Sequence, residues 1–310
     1  MLKKKNMFPT KYNFITSGKK GDLIMTLYIV KAMGGGNVFV TKGEFEEPLE
    51  SVLESCGKLV SSQNYISSFN IHKGEPIDVN LDQFRKSKSL YRTTLLDVMS
   101  RSHRLTLNEP VYGWIDVPAD HRFSDKIVIH RRTSKTVRIP NPLFNWKKLI
   151  DVLGKKNIVF VSRLEDEWKE FDDVQVEYYR PYDNYEHACI LKGCNLYIGN
   201  QSFPSALADA VGTNRIFELC HKLDRKHFAI QYSPNAWYFA TPWDCTIKNF
   251  RYLKKRESGY IDLVTRKHVK SYEESYRFNW LLAFKCEMNF RKDYYTGLMK
   301  RLIKYLGGLL

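Results

Sequence analysis

The sequence predicts an α/β protein made of two Rossmann-like domains and a C-terminal helical tail. Three observations lead to this fold class. Short β-branched runs alternate with stretches of helical periodicity, which is typical of βαβ units and parallel sheets. This series of strands and helices starts twice, near residue 12 and again near residue 126. The chain has 310 residues, 43% of them hydrophobic, which is enough material for two cores.

The first domain begins with a strand, a loop, a helix and a second strand. Tyr12–Ser17 is a short strand signal, and Gly18–Gly21 is a small polar loop. In Asp22–Met33 apolar residues recur at helical spacing, and three glycines end the pattern. Asn37–Thr41 then predicts a second strand, so the unit is a βαβ with a parallel sheet.

The rest of the first domain carries weaker signals. Pro48–Leu59 has one apolar face and predicts a helix, whereas Tyr65–Phe69 and Ile77–Asp82 indicate strand or loop segments. Arg85–Glu109 has a mixed, basic pattern that we interpret as helical. Turn formers and charges cluster at Asp116–Asp125 and predict the end of the domain there.

A second series follows this boundary and gives an N-terminal domain over 1–124, a C-terminal domain over 125–250 and a basic tail over 251–310. In the tail, the apolar stripe of Tyr294–Leu306 favours a helix that packs on the body over a membrane anchor. The second domain is predicted to contain the strands Lys126–His130, Asn157–Val161, Asn195–Gly199 and Arg215–Glu218 and the helices Trp146–Leu153, Glu186–Lys192 and Ser205–Val211.

The charge balance favours a polyanionic partner. The chain has 49 Lys and Arg against 34 Asp and Glu, a formal charge of +15, which suits nucleic acid, an anionic membrane surface or a phosphorylated substrate. Solubility alone is the alternative explanation. The six cysteines form no Cys-x-x-Cys pair, which argues against a zinc module, and the start lacks the apolar run of a signal peptide. We therefore expect a cytoplasmic protein, with peripheral membrane contact and oligomeric state left open.

The first turn between strand and helix is a candidate site. Ligands of parallel sheets sit beyond the carboxyl ends of the strands, so the loop Gly18, Lys19, Lys20 and Gly21 faces a crevice. Its glycines let the backbone approach a partner closely. Asp22 comes next, and it is either a catalytic carboxylate or a helix cap. The sequence fits neither a phosphate-binding P-loop nor the dinucleotide-binding glycine pattern.

A matching turn occurs in the second domain. Asn200, Gln201 and Ser202 lie between a strand and a helix, where free N–H groups favour a phosphate. The alternative is that Ser202 or Ser205 only caps the helix. Glu218 ends the next strand, and we expect it to bond a ribose or sugar hydroxyl.

The chain resembles the heptosyltransferase-like glycosyltransferases of the B fold. The resemblance rests on the motifs Ser17-Gly-Lys-Lys-Gly-Asp-Leu-Ile-Met-Thr-Leu, Ile198-Gly-Asn-Gln-Ser and Ala206-Leu-Ala-Asp-Ala-Val-Gly-Thr-Asn-Arg-Ile-Phe-Glu218. It implies an acceptor domain and a nucleotide-sugar domain across a cleft, with Asp22 as the catalytic base. It also implies that Asn200, Gln201 and Ser202 lie by the donor diphosphate and that His130, Arg131 and Arg132 form a second phosphate-facing loop.

Two departures from the family pattern concern the donor. The usual Asp-Thr/Ser-Gly of the donor turn is Asn200-Gln201-Ser202 here, and Arg131-Arg132 replaces an expected Pro-Gly. No Asp-x-Asp occurs, so we expect neither a metal nor another cofactor, and a nucleotide-sugar acts as co-substrate. Arginine and the helix dipole would then stabilise the departing diphosphate.

These observations lead to two functional hypotheses. The first is a metal-independent, inverting glycosyltransferase that acts on an anionic acceptor, either a hydroxymethylated DNA base or a phosphorylated glycan or glycolipid. The second is a non-catalytic nucleic-acid-binding protein that uses the basic segment Arg122–Arg138 and the tail. Only the first requires a carboxylate at the first turn together with a polar helix start at the second.

Overall fold

A computed structural model of the chain describes residues 12–87, 94–106, 112–132, 146–169, 171, 175–218 and 236–239. The predicted tail over 251–310, including the helix Tyr294–Leu306, lies outside these residues, as do parts of the second domain. In the described part no helix is long and apolar enough to cross a membrane.

The first half forms a four-stranded parallel sheet in the order β3-β2-β1-β4. Its central strand β1 is Tyr12–Thr16, which pairs with β2 (Gly36–Val40) on one side and β4 (Val79–Asn80) on the other. The remaining elements of this half are β3 (Ile66–Ile71), α1 (Lys20–Ala32), α2 (Leu49–Ser61), α3 (Leu95–Ser102) and a 3-10 turn at Leu81–Lys86.

The second half forms a six-stranded parallel sheet in the order β10-β9-β8-β5-β6-β7. This is the doubly wound order of a Rossmann fold, in which the sequence order reverses between the first and fourth strands. The strands are β5 (Ile127–His130), β6 (Ile158–Val161), β7 (Glu177–Tyr179), β8 (Leu196–Asn200), β9 (Arg215–Glu218) and β10 (Ala236–Phe239). The helices are α4 (Trp146–Leu153), α5 (Glu165–Lys169), α6 (Asn184–Gly193) and α7 (Phe203–Val211).

Helices from the two halves pack directly on each other. α1 contacts α7, and α2 contacts α6. One apolar cluster therefore runs through both halves, from Phe14 in β1 to Val211 at the end of α7. A second cluster, around Ile129 and Phe160, fills the opposite face of the larger sheet under α4. The predicted boundary at 124/125 stays a prediction, because the two halves share this core.

The predicted α/β class with two parallel-sheet halves is confirmed, and the differences are local. Helix α1 begins at Lys20, so half of the predicted loop is already helical. Ile77–Asp82 gives only a two-residue strand followed by a 3-10 turn. Of the predicted helix Arg85–Glu109, the described part is helical over Leu95–Ser102. Three short elements, α5, β7 and β10, were not predicted.

Candidate functional site

The two sheets place the candidate residues at their switch points, where the strand order reverses and ligands of open parallel sheets bind. In the first sheet this point lies between β1 and β4, and in the second between β5 and β8. Asp22 follows β1, and the residues from His130 to Arg132 end or follow β5. Gln201 and Ser202 follow β8 and are partly exposed. The predicted residues are thus brought to the carboxyl edges of both sheets.

At the first switch point, Asp22 forms an ion pair with Arg85. The Arg85 Nη2 atom donates to the carboxylate, and about 20% of the Asp22 side chain remains exposed. Burial raises the pKa of Asp22 above its usual range, although Arg85 and a backbone hydrogen bond at Lys19 act in the opposite direction. Asp22 is the third residue of α1, so its negative charge also stabilises the start of this helix.

Asp82 fixes the loop that carries this ion pair. Its carboxylate accepts hydrogen bonds from the Ser17 backbone N at 2.6 Å and from Ser17 Oγ at 2.7 Å. A side chain at Gly18 would place a Cβ 2.8 Å from the Cβ of Asp22 and 3.1 Å from Arg85. Only glycine therefore lets the loop pass this close to the ion pair.

The start of α1 lies against the start of α7. A Cβ at Gly21 would lie 4.0 Å from both the Ala206 Cβ and the Phe203 Cα. The positive ends of two helix dipoles, one from each half, consequently meet at the same place. This contact brings the Asp22 side of the cleft next to the Ser202 side.

At the second switch point, His130 joins a carboxylate to the start of α7. Its Nε2 lies 2.9 Å from Glu167 Oε2, and its Nδ1 lies 3.3 Å from Ser202 Oγ. Glu167 also accepts a hydrogen bond from Ser162 Oγ. Burial alone would raise the pKa of Glu167, but His130, Ser162 and the nearby Arg132 hold it below its usual range. The carboxylate is therefore ionised and fixes the orientation of His130.

Ser202 occupies the N-cap position of α7, but its side chain makes no capping hydrogen bond. Instead, Ser202 Oγ donates to the Asn200 backbone carbonyl at 3.0 Å and lies close to His130. The capping alternative therefore does not account for the Ser202 hydroxyl. Because Pro204 has no N–H, the first turn of α7 offers an anion the N–H groups of Phe203 and Ser205.

Asn200 and Glu218, the other predicted donor contacts, are both buried in the structure, and their donor contacts stay predictions. Asn200 is fully buried. Its Nδ2 donates to the Arg132 backbone carbonyl at 2.8 Å, and its Oδ1 accepts from the Arg132 backbone N–H at 3.1 Å. Glu218 is also fully buried, and it accepts from Arg131 Nη2 at 2.9 Å, Arg131 Nε at 3.1 Å and Trp146 Nε1 at 2.9 Å. In this structure the two side chains therefore hold Arg132 and Arg131 in place.

Arg132 links the two halves across the cleft. It lies 3.5 Å from Glu46 in the first half and 3.5 Å from Glu167 in the second. Glu46 also pairs with Lys19 at 2.7 Å, and Glu47 pairs with Lys20 at 2.7 Å. The predicted acceptor-side lysines therefore face carboxylates of the loop after β2.

Sequence reasoning missed Arg85, Asp82 and Glu167. Arg85 and Asp82 follow β4, and the pairing of β4 with β1 could have pointed to them, because neighbouring parallel strands end at one edge. Glu167 lies in an acidic stretch that looks like a solvated surface. In the described residues, no group of three or more His, Cys, Asp or Glu side chains is arranged to hold a metal ion.

Comparison with solved structures gives the fold a precedent. The glycosyl transferase family 9 protein from Veillonella parvula superposes with a TM-score of 0.52 at 13% identity, over 87% of this chain and 99% of that chain. The iron-containing dodecameric glycosyltransferase TibC from enterotoxigenic E. coli superposes with a TM-score of 0.55 at 12% identity, and the match covers 85% of this chain and 77% of TibC. The E. coli heptosyltransferase WaaC with ADP superposes with a TM-score of 0.52 at 12% identity, and the match covers 79% of this chain and 98% of WaaC.

The predicted resemblance to heptosyltransferase-like glycosyltransferases of the B type is therefore confirmed at the level of the fold. No protein-family model matches the sequence, and no curated protein does. At these identities the likeness establishes the architecture, while the chemistry must be argued from the site itself.

Proposed function

We propose that this protein is a glycosyltransferase that moves a sugar from a nucleotide-activated donor to a hydroxyl group of an anionic acceptor. The observation that supports the proposal is the approach of the start of α1, which carries Asp22, to the start of α7, which follows Ser202. Glycosyl transfer needs these two elements, a base for the acceptor and an anion site for the leaving group.

In the proposed reaction, Asp22 takes the proton of the acceptor hydroxyl while the acceptor oxygen attacks the anomeric carbon. The bond from that carbon to the phosphate oxygen breaks, and its electron pair leaves with the nucleoside diphosphate. Attack opposite the leaving group inverts the anomeric centre. The raised pKa of Asp22 suits a base, because it brings the carboxylate closer to the pH at which it must accept a proton.

The diphosphate is proposed to sit at the start of α7. Ser202 and Gln201 face it, and His130 supports Ser202 from behind. Arg131 and Arg132 follow β5 at the same edge, so positive charge and the helix dipole supply the stabilisation that a cation gives in other transferases. We therefore propose that transfer requires neither a metal nor another cofactor. TibC is described as iron-containing, which is a property of that protein.

The acceptor is proposed to be anionic because the chain carries a formal charge of +15. A hydroxymethylated DNA base and a phosphorylated glycan or glycolipid both fit this charge. Binding to duplex DNA should weaken linearly in log affinity with log salt, with a slope of about 0.9 per phosphate contacted. A lipid-linked acceptor would instead require binding to vesicles of anionic lipid. Measuring both side by side separates the two acceptor classes.

A panel of nucleotide-sugars tests the proposal through thermal stabilisation. A donor present at about 100 times its Kd stabilises the folded state by about 2.7 kcal/mol, which raises Tm by several degrees. We expect one nucleotide-sugar to stabilise the protein more than its free nucleoside or free sugar. If duplex DNA stabilises the protein and no nucleotide-sugar does, a non-catalytic nucleic-acid-binding protein replaces this proposal.

A further inference from the structure

Most cations that line the cleft already have a carboxylate partner. An anionic ligand must compete with these carboxylates for each cation, so a paired cation binds a phosphate less strongly than an unpaired one. The pairs are Lys19 with Glu46, Lys20 with Glu47, Arg85 with Asp22, Arg131 with Glu218, and Arg132 with Glu46 and Glu167.

Arg163 differs from these cations because no carboxylate among the described residues pairs with it. The Nε of Arg85 also lacks a hydrogen-bond partner there, but its Nη2 pairs with Asp22. Arg163 is the second residue after β6, at the carboxyl edge of the larger sheet. Its Nε is buried and has no hydrogen-bond partner in the part of the chain that the structure describes. Buried N–H groups of this kind are rare in folded proteins because they lose water without gaining an acceptor. A bound ligand could therefore supply the hydrogen-bond acceptor that Arg163 lacks among the described residues.

His187, which interacts electrostatically with Arg163, is a second buried group without a hydrogen-bond partner among the described residues. Its side chain is 2% exposed, and its Nε2 has no hydrogen-bond partner in the described part of the chain. Burial lowers the pKa of His187 to about 3, and electrostatic interactions with His130 and Arg163 act in the same direction. The imidazole is therefore neutral, and its ring lies 6.4 Å from that of Phe203, the first residue of α7.

The surroundings of Arg163 connect it to the second switch point. Its neighbour Ser162 donates to Glu167, which holds His130, and His130 contacts Ser202. Arg163 itself interacts electrostatically with His187, whose ring lies 6.4 Å from that of Phe203 at the start of α7. An anion there would meet two side-chain nitrogens that have no hydrogen-bond partner among the described residues, together with the start of α7.

We propose that Arg163 binds a phosphate of the nucleotide-sugar donor, with His187 beside it as a second hydrogen-bond donor. The inference rests on the proposed function, since it assumes a donor diphosphate at this edge. It adds a binding residue that the sequence did not suggest and that none of the cleft ion pairs neutralises.

The test compares Arg163→Gln with Arg180→Gln by calorimetry. Arg180 follows β7 at the same sheet edge, is exposed and lies one strand further from the switch point, so it controls for loss of charge. The probes are ADP, UDP, GDP and CDP and their nucleosides. For the diphosphate that the wild type binds most tightly, we expect Arg163→Gln to lower affinity roughly 10- to 100-fold, as for a lost charge-assisted hydrogen bond. Nucleoside affinity and the Arg180→Gln variant should change less than about threefold.

If the wild type binds a nucleoside diphosphate, three results with the variants would overturn the inference. Arg163→Gln could bind the diphosphate like the wild type, or it could lose diphosphate and nucleoside affinity equally, which would indicate a general structural role. Arg163→Lys keeps the charge and should recover part of the affinity for the diphosphate alone, so failure to do so in a folded variant also counts against it. If the wild type binds no nucleoside diphosphate, the proposed function fails together with this inference, whereas a wild type that binds one isolates the role of Arg163.

Discussion

The substitution Glu218→Gln distinguishes a residue that holds Arg131 from one that contacts the donor. Glu218 is fully buried between Arg131 and Trp146 and accepts three hydrogen bonds of 2.9 to 3.1 Å from them. The variant keeps the shape of the side chain but removes the charge. The new amide NH₂ of the variant faces the N–H donors of Arg131 and Trp146, so at least one of these donors loses its acceptor.

Breaking a buried ion pair by changing one partner costs about 3–5 kcal/mol. The Arg131 side chain is 19% exposed, so water replaces part of the lost interaction, and we expect a loss of about 2–3 kcal/mol. This corresponds to a decrease in Tm of about 4 to 12 °C. Arg131 should also lose its fixed position, so nucleoside diphosphate affinity should fall more than nucleoside affinity.

Thermal unfolding and calorimetric binding measure the two effects. Glu177→Gln is the matched control, because Glu177 is 61% exposed and pairs with Lys126 at 3.7 Å. An exposed pair of this kind contributes at most about 1 kcal/mol. The reasoning is refuted if Glu218→Gln has the same Tm as the control variant and loses affinity for the nucleoside, since Glu218 would then contact the ribose.

Three further outcomes are expected. Changing Gln201 and Ser202 together to Ala should weaken binding of a nucleoside diphosphate more than of its nucleoside in calorimetry, and equal losses would place the phosphates elsewhere. The folded-state pKa of His187 is about 3, below its unfolded value of 6.5, so its contribution to stability is complete above pH 6.5 and is lost as pH falls toward 3. Urea unfolding at several pH values measures how steeply the free energy of unfolding changes with pH below 6.5. His187→Leu should reduce this slope by up to about 1.4 kcal/mol per pH unit, and an unchanged slope would mean that His187 is not buried in its neutral form. Chelation should leave sugar transfer largely intact, and a complete loss that magnesium or manganese restores would contradict the metal-independent mechanism.

The elements that carry the site could be predicted from the sequence because their signals are local. Helical spacing indicates α1 and α7, and β-branched runs indicate the strands that precede them. In a parallel sheet the residues after each strand share one edge, so Asp22 and Ser202 could be assigned to a crevice. The start of α1 at Lys20 was missed because glycine at position 21 is typical of a loop.

The orientation of side chains at the strand ends could not be predicted. Asn200 and Glu218 are direct register partners on β8 and β9, and both are fully buried. A strand end indicates nearness to the cleft, but burial depends on the neighbouring elements, here Trp146 and the loop after β5. Glu167 was missed for a related reason, since α5 has only five residues and shows no periodicity.

Sugar transfer by Asp22→Asn tests the central claim most directly. Asp97→Asn is the matched control, because Asp97 is also the third residue of its helix and also pairs with an arginine, Arg101, at 2.8 Å. The measurement is release of nucleoside diphosphate from the donor, with hydroxymethylated DNA or phosphorylated glycolipid as acceptor. Loss of a general base predicts a decrease of at least roughly a hundredfold with donor affinity unchanged, while the control transfers normally. Transfer by Asp22→Asn at the wild-type rate would contradict the account and leave Asp22 as part of the helix start alone.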